Sequence, residues 1–164
     1  MNKLNIVLPV TLILLAIDQL SKFLIIRNLQ LYDRINVLPF FDIVHYRNTG
    51  VAFGFMSGMP EGLRHYFFVT VFLIALVLIS FFIYHTPAKE KFIIIPLSMI
   101  LSGAIGNSID RLRYGYVTDF LDFHWFGDPK LHWPPFNIAD SCITVGVIIL
   151  ILQSIIFGNR KEKV

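Results

Sequence analysis

The chain has 164 residues, of which 55% are hydrophobic and only 15% are charged, and its mean hydropathy is +0.67. Soluble domains carry about 25% charged residues, so this composition excludes a soluble globular protein and indicates an integral membrane protein. The net charge of +3 is too small to indicate a nucleic-acid partner, and the single cysteine, Cys142, excludes an internal disulfide and a multi-cysteine metal site.

Four apolar stretches are each long enough to cross the hydrocarbon core of a bilayer, which takes roughly 20 helical residues. They cover residues 4–26, 65–84, 92–109 and 138–157. Backbone polar groups in lipid must form hydrogen bonds within their own segment, so we predict four transmembrane helices in a single membrane domain. The first stretch is interrupted by Asp18, Gln19 and Lys22, which favours an uncleaved span over a signal peptide.

The basic residues predict the orientation of these spans. They are dense in the N-terminal tail, the loop after the second span and the C-terminal tail, which contain Lys3, Lys89, Lys91, Arg160, Lys161 and Lys163. Cytoplasmic loops are enriched in lysine and arginine. We therefore predict that both termini are cytoplasmic and that two longer segments, about residues 27–64 and 110–137, face outward.

The first outer segment has the composition of a small β-structure. Residues 35–41 and 42–46 are rich in β-branched and aromatic side chains, and Pro39 interrupts them. Residues 46–55 place turn formers between strand-like flanks, so we predict a sheet or hairpin on the membrane surface. In the second outer segment, Trp125, Phe126 and Trp133 are typical of an interfacial aromatic belt.

Asp18 and Lys22 lie four residues apart on one face of the first helix, an arrangement that favours an ion pair. Ionisable groups at membrane depth are costly, so each is a candidate functional residue. Two interpretations remain open. Either Lys22 extends to the outer surface and neutralises Asp18 in a purely structural pair, or the pair contributes to a site.

The third helix combines a packing face with a polar cluster. Small residues recur at four-residue spacing at Ser98, Ser102 and Gly106, which allows another helix to approach closely. Asn107, Asp110 and Arg111 follow at the outer end. Asp110 and Arg111 could simply be interfacial charges, but that interpretation accounts poorly for Asn107, which lies a turn deeper.

Two further carboxylates, Asp119 and Asp140, lie just after the third helix and at the start of the fourth. If these helices are neighbours, both acids meet at one membrane depth and share a proton. One member could then activate water while the other protonates the substrate, as in aspartic proteases. The remaining outer acids, such as Asp122 and Asp128, are expected to be solvated.

Two other functional classes compete with a protease. In a small proton-coupled transporter, Asp18, Asp110 and Asp140 would carry protons and would be spread across the membrane depth. A structural membrane subunit without chemistry would not require the polar grouping of Asn107, Asp119, Asn137 and Asp140.

Five motifs in order along nearly the whole chain resemble those of the lipoprotein signal peptidase family, also called signal peptidase II. They are residues 18–22, 47–54, 103–111, 117–120 and 136–141. The resemblance implies an all-α integral membrane protein with four transmembrane helices, a small extracytoplasmic β-cradle and a surface helix. It also implies an aspartic endopeptidase of the bacterial inner membrane that uses no metal or organic cofactor.

The resemblance further implies the substrate and the residue roles. Family members cut the signal peptide from a prolipoprotein just before a cysteine carrying diacylglycerol, and globomycin inhibits them. Asp119 and Asp140 match the catalytic aspartates. The substrate-binding positions match Asn48, Gly50, Asn107, Arg111 and Asn137, and the supporting positions match Asp18, Lys22 and Asp110. The expected partners are lipid-modified prolipoproteins, membrane lipid and globomycin, with no nucleic acid, and the sequence does not demand an oligomer.

Overall fold

The computed structural model describes residues 2–50, 60–125 and 128–158. Within these residues, four helices are long and apolar enough to cross a membrane. They are α1 (Leu4–Asn28), α2 (Glu61–His85), α3 (Lys91–Tyr114) and α4 (Ile138–Gly158). Each contains one predicted span, which confirms the four-helix membrane fold. The basic C-terminal residues Arg160, Lys161 and Lys163 lie outside the described part of the chain.

The central helix is α3, which packs against each of the other three. Nearly half of its apolar segment is buried, whereas almost none of the corresponding segment of α2 is buried. The exposed side chains of the helices include many leucine, isoleucine and phenylalanine residues. Lipid tails are as apolar as leucine, so these faces are suited to contact the bilayer directly.

Small residues on α3 bring its neighbours close, as the sequence predicts. The Ser102 hydroxyl donates to the Thr11 carbonyl of α1 at 3.1 Å, and the Thr11 hydroxyl donates to the Ser98 carbonyl at 3.4 Å. On the adjoining face, a Cβ atom added to Gly103 would lie 2.3 Å from the carbonyl oxygen of Ala139 in α4. Only glycine permits that separation between the two helices.

The two outer segments together form one antiparallel sheet in the order β1-β2-β3-β4. Its strands are β1 (Arg34–Leu38), β2 (Phe41–Asn48), β3 (Val117–Trp125) and β4 (Asp128–His132). The β1–β2 hairpin, which turns at Pro39 and Phe40, confirms the predicted β-structure in the first segment. Strands β3 and β4 were not predicted, although the valine, threonine and phenylalanine residues of β3 favour a strand.

Some predicted features fall outside the described residues. They are Phe126 and residues 51–59, which include the distal half of the predicted 46–55 hairpin. The surface helix is not among the elements found in the described residues. Trp125 and Trp133 are both largely exposed, in agreement with an interfacial belt.

A cluster of charged side chains, with buried carboxylates and a partly exposed arginine, links the first three strands. The Arg34 guanidinium bridges the carboxylates of Asp42 at 2.6 Å and Asp122 at 3.0 Å. Asn36 donates a further hydrogen bond to Asp42 at 2.8 Å. The expectation that Asp122 is solvated is therefore wrong, because this carboxylate is only 1% exposed and takes its counter-charge from β1.

Candidate active site

Asp140 is held at the first turn of α4 by a capping box. The Asn137 side-chain oxygen accepts the backbone N–H of Asp140 at 2.9 Å, and the Asp140 carboxylate accepts the backbone N–H of Asn137 at 3.3 Å. This reciprocal arrangement satisfies two N–H groups that the start of a helix leaves without partners. The positive end of the helix dipole also favours a negative charge at this position.

Asp119 approaches the same point from the sheet. The pairing of β2 with β3 places Tyr46 opposite Asp119 and brings Asn48, at the end of β2, beside it. The Asn48 side-chain amide donates to one carboxylate oxygen of Asp119 at 2.8 Å, and the Asn137 amide donates to the other at 2.7 Å. Asn137 therefore bonds to both acids, and the predicted meeting of the two carboxylates is confirmed.

The environment of Asp119 changes its acidity. The pKa of Asp119 is raised to about 7, chiefly because the carboxyl group is buried. The hydrogen bond from Asn48 is the largest opposing contribution, the negative charge of Asp140 raises the pKa further, and the charge of Lys22 lowers it. Near neutral pH, the two carboxyl groups can therefore hold one proton between them.

Asn107 of α3 provides the third side of the site. Its amide nitrogen donates to the Asp140 carboxylate at 2.7 Å. Its amide oxygen accepts hydrogen bonds from the Asn137 amide at 3.2 Å and from the Lys22 ammonium at 3.1 Å. Five elements thus contribute to one connected network, namely α1, β2, β3, α3 and the start of α4.

The first-helix pair lies inside the protein and not at its surface. The Lys22 ammonium lies 2.9 Å from Asp18 and 3.1 Å from Asp110, and its side chain is only 3% exposed. The interpretations of Lys22 as a residue that extends to the surface, and of Asp110 as an interfacial charge, are therefore wrong. An ammonium group this deep needs carboxylate partners, and both are supplied from within the bundle.

The two acids beside Lys22 also hold the segments that carry the candidate catalytic acids. Asp18 accepts the backbone N–H of Ala139, in the first turn of α4, at 2.9 Å. Asp110 accepts the backbone N–H of Thr118, which precedes Asp119, at 3.2 Å. Sequence reasoning assigned no role to Gln19, whose amide donates to Asp18 at 3.1 Å and to Asp110 at 3.2 Å. The sequence signal that could have indicated a role for Gln19 is its position between Asp18 and Lys22 in the first motif.

Gly50 supports Asn48. Its backbone N–H donates to the Asn48 side-chain oxygen at 2.8 Å, which leaves the amide nitrogen of Asn48 directed at Asp119. Gly50 has φ +82, a left-handed conformation that favours glycine, and a Cβ atom there would lie 2.1 Å from the Phe68 ring. In the structure Gly50 therefore acts on the orientation of Asn48.

Arg111 lies beside the two acids and has donor capacity left. Its guanidinium stacks over the Phe68 ring at 4.2 Å, and its charge acts on both Asp140 and Asp119. The Arg111 Nε–H is buried and has no hydrogen-bond partner within the described residues. A guanidinium in this position can bind a carbonyl group of a peptide that enters next to the carboxylates.

A groove of about 260 Å³ adjoins Arg111 between α2 and α3. Its walls are mainly apolar side chains, chiefly Phe68, Val69, Phe72, Leu73 and Leu112.

The described residues contain no set of three or more histidine, cysteine, aspartate or glutamate side chains that could hold a metal ion.

The chain is similar to proteins named lipoprotein signal peptidase over most of its length. A family model described as Signal peptidase (SPase) II matches residues 10–156. A lipoprotein signal peptidase from Geobacter metallireducens is 43% identical over 155 residues, covering 94% of this chain and 93% of that protein. Another, from Syntrophus aciditrophicus, is 41% identical over 152 residues, covering 92% of this chain and 91% of that protein.

Solved structures show the same similarity. A bacterial membrane enzyme determined by the in meso method at 2.3 Å resolution has a TM-score of 0.82 and 31% identity, covering 96% of this chain and 92% of its own. A second, determined at 1.9 Å resolution, has a TM-score of 0.77 and 33% identity, covering 89% of this chain and 90% of its own. The helical bundle and its sheet are thus shared with experimentally determined membrane enzymes.

Proposed function

Because the chain belongs to the signal peptidase II family, we propose that Asp119 and Asp140 are the catalytic carboxylates of its peptidase site. The enzyme is a membrane peptidase that removes signal peptides from prolipoproteins, the activity that its relatives' names carry. One observation chiefly supports the assignment of the pair. Asn137 forms hydrogen bonds to both acids and so holds them against a common point.

In the proposed mechanism, a water molecule lies between the two carboxyl groups. Ionised Asp140 takes a proton from this water as the water oxygen attacks the carbonyl carbon of the scissile bond. Protonated Asp119 donates a hydrogen bond to the carbonyl oxygen, where negative charge develops. The intermediate then breaks its C–N bond, and the leaving amine nitrogen receives a proton from the pair. The cut falls just before the diacylglyceryl-modified cysteine.

The polar side chains around the pair divide into two proposed roles. Asn48, Asn107 and Asn137 direct their amide nitrogens at the carboxylates, so they orient the catalytic groups more than they bind peptide. The Arg111 Nε–H has no hydrogen-bond partner among the described residues, and Arg111 is the proposed anchor for the substrate backbone. Arg111 lines the groove and its charge also acts on both acids, so peptide and lipid would be held side by side.

The groove between α2 and α3 is the proposed position of the substrate's acyl chains. Its walls are apolar, it adjoins Arg111, and α2 is the helix most exposed to lipid. A diacylglyceryl group that enters from the bilayer would keep its chains in an apolar environment while the adjacent cysteine reaches the carboxylates. Burial of methylene groups contributes about 0.8 kcal/mol each.

The proposed location is the bacterial inner membrane, with both termini cytoplasmic and the catalytic site near the outer face. The end of the bundle remote from the sheet contains Lys3, which donates to the Ile83 carbonyl at 3.1 Å. The loop with Lys89 and Lys91 lies at that same end, after α2. A concentration of lysine at the end opposite the catalytic pair supports this orientation. The enzyme is proposed to act as a monomer.

The arrangement of the acidic residues does not support the alternative of a proton-coupled transporter. It required Asp18, Asp110 and Asp140 to be spread across the membrane depth. Instead, Asp18 and Asp110 both pair with Lys22, and Lys22 connects through Asn107 to Asp140. These acids form one network at the end of the bundle that carries the sheet.

Reporter fusions test the orientation. A fusion after Lys89 is expected to be active only with a cytoplasmic reporter, and an insertion at residue 128 only with an external reporter. The reason is that the two sites lie at opposite ends of α3. Activity of an external reporter at Lys89 would place both aspartates on the cytoplasmic side and would contradict the proposed site.

Cleavage of a defined substrate tests the activity. A prolipoprotein carrying diacylglycerol on its cysteine is expected to be cut with a kcat/KM about 100-fold higher than the unmodified precursor. Burial of only four methylene groups would account for a factor of that size. The measurement is release of signal peptide by the purified enzyme in lipid, and globomycin is expected to block it. Equal cleavage of both precursors would exclude a lipid-binding role for the site.

A pair of substitutions on α2 locates the lipid in the same assay. Val69→Trp fills the groove and is expected to raise KM for the modified precursor. Val71→Trp, on the same helix but outside the groove and 46% exposed, is the matched control and is expected to leave KM unchanged. Equal effects of the two tryptophan substitutions on KM would show that the acyl chains do not bind in this groove.

A further inference from the structure

We propose that Lys22 is a positioning residue for the catalytic pair and acts through the side chain of Asn107. The proposal rests on the proposed function, because it assumes that Asp140 acts on the reacting water. The carrying observation is a chain of two hydrogen bonds. The Lys22 ammonium donates to the Asn107 amide oxygen at 3.1 Å, and the Asn107 amide nitrogen donates to Asp140 at 2.7 Å.

This chain selects one of the two orientations of the Asn107 amide. With its oxygen facing Lys22, the amide must present its nitrogen to Asp140. In the reversed orientation, the NH₂ group would face an ammonium and the Asn137 amide, while its oxygen would face a carboxylate. All three contacts would then be unfavourable, because they place donor against donor or acceptor against acceptor. The cation on α1 thus determines which atom Asp140 meets on α3.

Asn137 constrains the orientation of the Asn107 amide less strongly than Lys22 does. Its amide nitrogen is shared between the Asn107 oxygen at 3.2 Å, the Asp119 carboxylate at 2.7 Å and the Thr118 carbonyl at 3.4 Å. The shortest of these bonds goes to Asp119. An ammonium carries a full charge and three donors, so its bond to the Asn107 oxygen is the stronger constraint.

Lys22 is held in place by groups that do not contact the catalytic acids. Asp18 lies 2.9 Å from its ammonium and Asp110 lies 3.1 Å from it. The other charged groups whose fields reach this region are Arg111, Asp119 and Asp140. Asp18, Asp110 and Lys22 together carry a formal charge of −1. Removal of Lys22 alone would leave two uncompensated buried carboxylates, so a test must preserve this balance.

A charge-balanced variant is available. Asp18→Asn combined with Lys22→Met leaves Asp110 as the one charged member, so the formal charge stays at −1 while the donor to Asn107 is lost. The asparagine keeps an oxygen to accept the Ala139 N–H, which preserves the anchor of α4. Ser102→Ala is the matched packing control, because it removes a hydrogen bond between the same two helices without touching the network.

The experiment is a double-mutant cycle between this balanced variant and Asn107→Ala, with kcat and KM measured on the diacylglyceryl-modified precursor. The balanced variant is expected to lower kcat about tenfold or more and to leave KM within about twofold. In the Asn107→Ala background, the same substitutions should lower kcat by less than about twofold. Ser102→Ala is expected to lower only the thermal unfolding midpoint.

Equal fold losses in both backgrounds, or a loss confined to KM, would overturn the role of Lys22. If the balanced variant does not fold, Lys22→Arg decides the question. Arginine keeps a cation beside Asp18 and Asp110 but moves the donors away from the position of the ammonium. A positioning role requires Lys22→Arg to lower kcat in the wild-type background and to change it by less than about twofold in the Asn107→Ala background, whereas equal losses in both backgrounds would overturn the role. Full activity of Asp119→Asn or Asp140→Asn in this assay would instead refute the catalytic pair itself, so the two failures are distinguishable.

Discussion

Asp119→Asn and Asp140→Asn are each expected to abolish signal-peptide release, with kcat reduced by at least about 10²- to 10⁴-fold. Asparagine has nearly the shape of aspartate but can neither take a proton from water nor give one to the leaving amine. The loss should appear in kcat, because the proposed substrate contacts are made by Arg111 and the groove. Single-turnover release of signal peptide by the purified variants in lipid measures it.

An outer acid away from the site serves as the control for this pair. Asp33 is exposed, and its carboxylate accepts the backbone N–H of Gln30 at 2.8 Å. Asparagine retains an oxygen for that bond, so Asp33→Asn is expected to keep full activity. All three variants should insert in the membrane at wild-type levels. A variant of Asp119 or Asp140 with wild-type kcat would remove that residue from the mechanism.

The helices were predictable because each contains a predominantly apolar segment of membrane length. The start of α4 could also be predicted, since Asn137 and Asp140 have the spacing of a capping box, with the cap three residues before its acid. Local sequence therefore explains both the helix boundary and the presence of a carboxylate there. The small-residue face of α3 likewise indicated a close helix contact, and that contact with α1 is present.

What sequence could not predict depends on contacts between distant segments. Asn48 and Asp119 meet only because β2 pairs with β3, and local composition does not specify that pairing. The same applies to Asp122, which is buried because Arg34 of another strand reaches it. One of the two interpretations of Lys22 placed its ammonium in water, as an isolated helix would require, but Asp110 of α3 supplies a second carboxylate and keeps it inside.

The burial of Asp119 predicts a second large effect, on stability. Its folded-state pKa of about 7 is above the ordinary value of 3.8, so the folded protein retains a proton that the unfolded chain releases. The free energy of unfolding should therefore fall as pH rises from about 4 through 7. For this single group the loss is at most about 4 kcal/mol. The measurement is the thermal unfolding midpoint in lipid or detergent between pH 5 and pH 8.

Comparison with Asp119→Asn isolates this contribution from the other titrating groups. The variant cannot ionise at this position, so its unfolding midpoint is expected to fall less than that of the wild type between pH 5 and pH 8. The comparison is between the two pH slopes, because the asparagine NH₂ would face the amide of Asn48 or Asn137 at every pH. An identical pH dependence in both proteins would show that the carboxyl group is not held protonated by its surroundings. If the difference is found, the group that weakens the fold near neutral pH is the proposed proton donor, a conflict between stability and activity that is common at catalytic sites.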